Sequence, residues 1–313
     1  MAVRGDRVRA AVLTTATARL AAAAIVLTAG CVAVGLAAAG VRGAIIALVL
    51  VGVLTAAVYA SCDRLALSAM LARPVSEVEQ PELYRLVREL SKTGRLPVPR
   101  LYVSPAEQPN SFTAGRGPRT ATVCCTEGLL RVLDENELRG VLGHELAHVS
   151  GRDILASTMT AGLATVITFP AGLARFLPGR TGTPVPAPEA AGSSASRGPA
   201  SSGLGALEAS LMLVFGPIAA LVIRLTVTRA REYRADAAGA LLSGDPVALA
   251  NALRKIDAGT AELALAPDGR LTSVGHLMIA CPFRAEGFAR MFLTQPPAGE
   301  RVRRLEALAG YRR

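Results

Sequence analysis

The chain has 313 residues, a formal net charge of +10, 51% apolar residues and a mean hydropathy of +0.39. This composition is too apolar for an ordinary soluble domain of that length and indicates an integral membrane protein. Five cysteines, an odd number, argue against a disulfide framework. The arginines are dispersed and are not interleaved with aromatic residues, so we expect them to meet anionic lipid headgroups and not nucleic acid.

Two apolar stretches near the N-terminus, residues 20–40 and 41–61, are each long enough to cross a bilayer. They predict a tight transmembrane hairpin within an N-terminal unit of residues 1–64. Arginines precede the first stretch and follow the second, which places both flanks on the cytoplasmic side. A cleaved signal peptide is the alternative, but the first stretch exceeds a typical signal core and a second span follows at once.

The next segment, residues 65–153, has the mixed polar pattern of a small α+β unit. Pro81 can open an amphipathic helix, and residues 100–104 and 120–124 are predicted strands. Residues 110–115 between these strands are predicted to form a loop or hairpin. Asp134, three residues before Glu137, resembles a capping box and predicts a helix from this point.

The capped helix contains the pattern H-E-x-x-H at residues 144–148. Four-residue spacing places His144 and His148 on one helical face, where both imidazoles can bind a single zinc ion, and Glu145 lies beside them as the candidate general base. Only three histidines occur in the chain, so two of them belong to this motif. The alternative is an ordinary helix with two surface histidines.

A catalytic zinc site of this type needs a third protein ligand and one position open to water. Residues 231–236 offer E-x-x-x-D on a predicted helix, with Glu232 as the third ligand and Asp236 one turn along the same face. Asp236 can accept the free N–H of His144 and fix its tautomer. Glu and Asp at this spacing are, by themselves, more often a solvated helical face.

Two further apolar stretches, residues 154–177 and 204–223, separate the two halves of this motif, with a Pro-, Gly- and Ser-rich linker at 179–203. If both stretches within the 154–228 unit cross the membrane, Glu232 returns to the side of His148. Interfacial or core helices are the alternative. Residues 229–313 are predicted to complete the metalloprotease domain, where His276 is expected to be a packing or hydrogen-bonding residue.

Together these patterns predict a mainly helical α+β fold, and in combination the chain resembles the HtpX-type membrane zinc metalloproteases, relatives of the membrane CAAX-processing peptidases. The resemblance implies a zincin-like domain joined to two N-terminal and two internal transmembrane helices. It also implies one Zn²⁺ held by His144, His148 and Glu232, with Glu145 catalytic. The matching pieces are Asn110-Ser111-Phe112, T-E-G-L-L at 126–130, L-G-H-E-L-A-H at 142–148, R-E-Y-R-A-D at 231–236, Pro296-Pro297 and Glu300-Arg301-Val302.

One position departs from the family, which usually has His before the Pro-Pro pair where this chain has Gln295. Glutamine can donate a hydrogen bond to an oxyanion but carries no imidazolium charge. Gln295, Arg301 and Asn110 are therefore candidate oxyanion or substrate contacts. We further hypothesise that an extended substrate pairs with the predicted strand at 120–124.

The implied function is zinc-dependent peptide hydrolysis at a bacterial inner membrane, by a multi-pass protein whose catalytic domain faces the cytoplasm. The expected substrates are misfolded or unassembled membrane proteins. Zinc would acidify water and polarise the scissile carbonyl, while Glu145 takes the proton and passes it to the leaving amine. Two alternatives remain: a processing peptidase for one membrane substrate, and a catalytically silent scaffold that uses zinc for folding.

Overall fold

The computed structural model describes residues 2–151, 154–173, 203–265, 269–284, 291–292 and 294–310, which form a mainly helical α+β structure. The helices are α1 (Ala2–Ala69), α2 (Pro81–Gly94), α3 (Glu127–Val132), α4 (Glu135–Ser150), α5 (Ile154–Leu173), α6 (Gly203–Thr226), α7 (Arg229–Ser243), α8 (Pro246–Glu262), α9 (Gly269–Val274) and α10 (Ala298–Leu308). The strands are β1 (Arg73–Pro74), β2 (Arg100–Ser104), β3 (Ser111–Ala114) and β4 (Thr122–Thr126). The predicted mainly helical α+β class is confirmed.

The first helix is interrupted near its middle, where Ala39 and Gly40 have non-helical backbone angles and Gly40 has φ of 60°. A Cβ atom built on Gly35 would lie 2.5 Å from the Gly43 carbonyl oxygen. Residues eight apart along a straight helix are about 12 Å apart along its axis, so the chain must double back here. The two limbs of α1 therefore form a hairpin, and glycines permit their backbones to approach closely.

The sheet has the strand order β1-β2-β4-β3, in which β2 and β4 are parallel and the other two pairings are antiparallel. The predicted strand at 100–104 coincides with β2. The strand predicted at 120–124 begins later, at Thr122, and residues 118–120 form a 3-10 turn. The segment predicted as a loop or hairpin at 110–115 contains the strand β3, all four of whose residues are buried.

This strand order shows that the hypothesis of substrate pairing with residues 120–124 is wrong. Strand β4 is hydrogen-bonded to β2 on one side and to β3 on the other, so its backbone has no free edge. Strand β3 lies at the edge of the sheet and nearest the H-E-x-x-H helix. Its edge is itself partly covered, since Ile279 N–H donates to the Ser111 carbonyl at 2.9 Å and Phe112 forms a bridge with Met278.

The principal core lies between the sheet and helices α2, α4 and α8. Helix α2 begins at Pro81 as predicted and buries its apolar stripe of Leu83, Leu86, Val87 and Leu90. The predicted capping box is confirmed: Glu137 N–H donates to the Asp134 carboxylate at 2.9 Å, and Asp134 N–H donates to the Glu137 carboxylate at 3.0 Å. This cap starts α4, which crosses the core with most of its residues buried.

Helices α5 and α6 pack against each other and against α1. A Cβ atom built on Gly162 of α5 would lie 2.6 Å from Val58 of α1, which shows how closely these helices approach. Helix α6 continues into α7 across a bend of 51°. The linker predicted at 179–203 lies outside the described residues, apart from Gly203, the first residue of α6.

By length and apolar composition, one helix among the described residues, Ala18–Ala69, could cross a membrane. A second is added if Leu213–Thr226 and the bent continuation Arg229–Ser243 are taken as one span. Large apolar side chains of α1 are mostly exposed, among them Val26 at 70% and Val41 at 70%. An apolar surface of this extent on a long helix is typical of contact with lipid.

Candidate metal centre and active site

Helix α4 provides the first half of the site. His144 and His148, one turn apart, point the same way, and their Nε2 atoms are 3.2 Å apart. His144 is 1% exposed and the His148 side chain 12%, so the pair is largely buried, with His148 nearer to solvent. Two buried ring nitrogens this close together repel each other unless a cation or a proton lies between them.

Helix α7 brings Glu232 to the two imidazoles because α4 and α7 cross at a pair of glycines. A Cβ atom on Gly239 would lie 2.5 Å from the backbone nitrogen of His144, and one on Gly143 would lie 2.7 Å from the Gly239 carbonyl oxygen. Only glycine at both positions allows this approach. The crossing thereby fixes Glu232, two turns earlier in α7, opposite the histidines.

The three candidate ligands have a spacing that fits zinc. The Glu232 Oε2 atom lies 3.7 Å from His144 Nε2 and 3.8 Å from His148 Nε2. Tetrahedral ligands at zinc bond lengths are separated by about 3.4 Å, close to all three observed separations. Within the described part of the chain, this is the group of His, Cys, Asp and Glu side chains found with metal-binding geometry. Two imidazoles and a carboxylate are a typical catalytic zinc set.

Asp236 contacts His144 through Nδ1, the ring nitrogen that does not face Glu232. Its Oδ1 atom lies 2.9 Å from His144 Nδ1, so a proton on Nδ1 would face this carboxylate and leave the Nε2 lone pair free for a metal. Arg301 holds the same carboxylate in a bidentate pair, with Nε–Oδ2 of 2.8 Å and Nη2–Oδ1 of 2.7 Å. Burial opposes ionisation of Asp236, but Arg301 and His144 hold its pKa well below the ordinary value.

Glu232 is also oriented by a neighbouring charge. Its Oε1 atom accepts from the Arg231 guanidinium at 3.3 Å, while Oε2 faces the histidines. Burial works against the charged form, but His148 and Arg231 lower the Glu232 pKa overall. Arg231 in turn donates to the Ser157 hydroxyl of α5. The first turns of α5 therefore help to hold the third ligand as an anion, the form that binds a metal.

Glu145 lies on the adjacent face of α4, against strand β3. The Ser111 hydroxyl donates to Oε1 at 2.6 Å and the Thr113 hydroxyl donates to Oε2 at 2.6 Å. Ser111 and Thr113 are two residues apart, so both side chains project from the same face of the strand. The carboxylate is thus held at both oxygens, and it is 1% exposed.

The structure places the three candidate oxyanion or substrate residues in supporting contacts. Arg301 uses Nε and Nη2 on Asp236 and Nη1 on the Ile279 carbonyl. Both amide hydrogens of Gln295 are used, on the carbonyls of Gly275 at 2.8 Å and Met278 at 3.1 Å. The Asn110 amide donates to the Ala280 carbonyl at 3.0 Å. In this arrangement all three hold the 275–280 segment or the metal centre, and their assigned donors are not directed at a substrate.

The third histidine is separate from the metal centre. His276 is buried, and its Nε2 atom lies 3.2 Å from the Ser157 carbonyl of α5. Burial lowers the pKa of His276 to about 4, an effect that the Ser157 contact only partly offsets. The neutral ring therefore serves as a hydrogen-bonding residue in the core.

Four residues that the geometry makes important were given no role from the sequence. Ser111 and Thr113 received none because their segment was predicted to be a loop or hairpin. An alternating S-F-T-A pattern was the available signal, since it places both hydroxyls on one face of a strand. Gly143 and Gly239 carry no chemical function, and neither glycine on its own predicts which helix will cross it.

Comparisons with known proteins agree with this geometry. The model of the family described as Peptidase family M48 matches residues 77–309. A "Protease HtpX homolog" of Kineococcus radiotolerans is 52% identical over 272 residues, covering 87% of this chain and 88% of the relative. Another, of Paenarthrobacter aurescens, is 46% identical over 262 residues, covering 83% and 84%. A third, of Syntrophobacter fumaroxidans, is 39% identical over 282 residues, covering 90% and 95%.

These matches confirm the predicted relationship to HtpX-type proteases, the peptidase activity and the dependence on zinc. Polypeptides are accordingly its substrates. With the exposed apolar surface of α1, they describe a membrane-bound metalloprotease. The family match covers the whole of the described site, from β3 to Arg301. The chain therefore belongs to peptidase family M48.

Proposed function

We propose that this protein is a zinc endopeptidase of the bacterial inner membrane that cuts damaged or unassembled membrane proteins from the cytoplasmic side. His144, His148 and Glu232 hold the metal in this proposal, Asp236 orients His144, and Glu145 is the general base. One observation carries the assignment: the three ligand atoms, two from α4 beside Glu145 and one from α7, lie within 4.8 Å of one another.

Glu145 carries out the proton transfers, and Ser111 and Thr113 hold its carboxylate. When bound, zinc supplies Lewis acidity that activates water and polarises the scissile carbonyl. Glu145 removes a proton from the attacking water and later delivers it to the leaving amine. Ser111 and Thr113 keep the carboxylate in position, and each carboxylate oxygen retains a second lone pair that can accept the proton.

The membrane arrangement that we propose has two hairpins. The reversal of α1 at Gly40 gives the first, with both ends of α1 on the cytoplasmic side. Helices α5 and α6 give the second: α5 leaves the domain after the histidine helix and α6 returns to Glu232. Their 20 and 24 residues correspond to about 30 and 36 Å of helix, enough to cross a bilayer.

This arrangement supports the proposed organisation into a hairpin (1–64), a first domain part (65–153), a helical pair (154–228) and a second domain part (229–313). A catalytic domain tethered in this way meets chains that emerge from the bilayer or fail to assemble in it. The candidate ligands come from α4 in the first domain part and α7 in the second, so the site is complete only when the inserted helices are in place. These features favour quality control of membrane proteins over digestion of freely diffusing peptides.

The proposal is tested with purified full-length protein in liposomes, comparing wild type with Glu145→Gln. Substrates are unfolded casein, a folded single-span membrane protein and the same protein with a destabilising core substitution. We expect wild type to cut casein and the destabilised protein, and Glu145→Gln to be about 10²–10⁴-fold slower because it lacks the base. Removal of zinc with a chelator should abolish cleavage, and zinc should restore it.

Glu135→Gln, at the exposed start of the same helix, is the matched control and should cut at the wild-type rate. Equal cleavage by wild type and Glu145→Gln would overturn the assignment of the base. Equal cutting of the folded and destabilised membrane proteins would overturn the quality-control role. Cleavage of one membrane protein at one bond, with casein untouched, would instead identify a processing peptidase.

A further inference from the structure

An arginine-lined pocket lies beside the last turns of α1, where this helix enters the folded domain, away from the metal centre. It has a volume of about 380 Å³, and four arginines line it: Arg64, Arg100, Arg116 and Arg119. The lining contains a single carboxylate, Asp63, which pairs with Arg100 at 3.3 Å. The pocket therefore has a local excess of three positive charges.

We propose that this arginine pocket binds the phosphate headgroup of an anionic phospholipid from the inner leaflet. The ligand chemistry follows from the donors, since guanidinium groups match phosphate oxygens in charge and geometry. The proposal does not depend on which peptide the enzyme cuts. It depends on the position of the pocket relative to the bilayer and on Arg64 and Arg119, which have no carboxylate partner among the described residues.

The depth of the pocket in the membrane can be counted from the reversal of α1. Ala60, the first lining residue, is 20 residues beyond Gly40, which corresponds to about 30 Å of helix. This length equals the thickness of the hydrocarbon core. Large apolar side chains along this limb are mostly exposed as far as Tyr59, and from Cys62 onward one side of the helix is buried against the domain. The pocket therefore opens at the level of the headgroups.

Among the described residues, Arg100 is the pocket arginine with a carboxylate partner, and the other three can still bind an anion. Within the described residues, no carboxylate lies within ion-pair distance of Arg64 or Arg119, and both side chains are exposed. Arg116 stacks over the Tyr59 ring at 5.5 Å, and its buried Nε atom has no hydrogen-bond partner in the described structure. A buried donor of this kind is normally satisfied, and a phosphate oxygen would satisfy it.

Tyr59 gives a further reason to favour a lipid. Aromatic side chains with a polar end are enriched where hydrocarbon meets headgroup, and this ring is 48% exposed beneath the Arg116 guanidinium. A lipid would place its acyl chains along the exposed apolar limb of α1 and its phosphate among the arginines. A free phosphate ion would use only the second of these contacts.

The test measures lipid binding to the full-length protein in a neutral detergent by native mass spectrometry. Phosphatidylglycerol and phosphatidylcholine with the same acyl chains are titrated, and inorganic phosphate is added as a competitor. The test variant is Arg64→Gln with Arg119→Gln, since neither side chain has a described internal contact. The matched control is Lys92→Gln with Arg131→Gln, two exposed cations away from the pocket.

We expect wild type and the control to prefer phosphatidylglycerol, and the test variant to bind it about 30-fold more weakly, at about fivefold for each arginine removed. The melting temperature of both variants should match wild type. An equal loss of affinity in the test and control variants would contradict binding in this pocket, because it would show that the lipid is attracted by positive charge spread over the protein surface. Displacement of the lipid by inorganic phosphate at comparable concentration would overturn the lipid and identify a soluble anion as the ligand.

Discussion

Asp236 contacts His144, the first histidine of the motif, and connects it to the rest of the domain. It joins His144 to Arg301, a side chain that comes from the last helix of the domain and is 2% exposed. The spacing of Glu232 and Asp236 predicted an acceptor behind the histidine. It did not predict Arg301 as the partner of that acceptor, because residues 65 positions apart give no local signal.

Replacing Asp236 by Asn should lower zinc affinity about 10–100-fold, because His144 loses a charged acceptor that fixes its ring and raises its basicity. Zinc affinity is measured by competition with a chromophoric chelator. Glu300→Gln, a carboxylate on the surface of α10, should bind zinc as wild type does. Unchanged affinity in Asp236→Asn would show that Asp236 serves only the fold.

Ser111 and Thr113 are expected to act on kcat and not on metal binding. Thr113→Val removes one hydrogen bond from the Glu145 carboxylate without changing side-chain volume. One such bond contributes about 1 kcal/mol, so kcat should change up to about tenfold while zinc content and KM stay constant. Thr113→Ser should restore the rate.

The matched control for that experiment is Thr122→Val on the neighbouring strand. Its hydroxyl is also buried and bonds a backbone carbonyl, that of Ala114, at 2.9 Å. It should alter stability but leave kcat unchanged. A parallel loss of kcat in both variants would mean that the sheet, and not the hold on Glu145, sets the rate.

At the scale of elements, the crossing of α4 and α7 decides whether a metal site exists. Its close approach depends on Gly143 and Gly239, where any side chain would meet backbone atoms of the other helix. Backbone cannot rotate away as a side chain can, so the helices would have to separate. Glu232 would then move away from the imidazoles.

We expect Gly239→Ala to lose stoichiometric zinc and to lower the melting temperature by several degrees, since overpacking of this kind costs about 1–3 kcal/mol. Metal content and thermal unfolding are the measurements. Gly299→Ala is the matched control, because a Cβ atom there meets nothing within 4 Å. Full zinc occupancy in Gly239→Ala would show that the crossing tolerates separation.

The elements themselves were predictable to different degrees. Helices with local signals were found, such as α2 from Pro81 and α4 from its capping box. Strand β3 was not predicted as a separate strand, because the four residues between Asn110 and Gly115 were predicted as part of a loop or hairpin. The order of the strands was also out of reach, since it depends on contacts between distant segments.

At the scale of the whole molecule, the zinc motif and the apolar stretches together predicted a membrane-bound protease. What sequence could not supply was the number of crossings, because length and apolarity do not separate a span from a buried core helix. The α1 reversal at Gly40 was foreseen from the change between two apolar runs. The contact of Gly35 with Gly43 across this reversal appears only in three dimensions.

The proposed orientation is tested by cysteine labelling in intact cells. All five native cysteines are replaced by Ala, and a single Cys is introduced at Arg42, beside the reversal, or at Lys92 in α2. A membrane-impermeant maleimide should label Arg42→Cys from outside and Lys92→Cys only after the membrane is opened. Labelling of both from the same side would contradict the hairpin.

The division of the ligand set between two helices has a consequence for biosynthesis. His148 leaves the ribosome 84 residues before Glu232, and at about 5–20 residues per second this is a delay of several seconds. During that interval the nascent chain has two imidazoles but lacks the third ligand of the proposed set. The proposed metal centre can therefore be complete only after the intervening helices have been made.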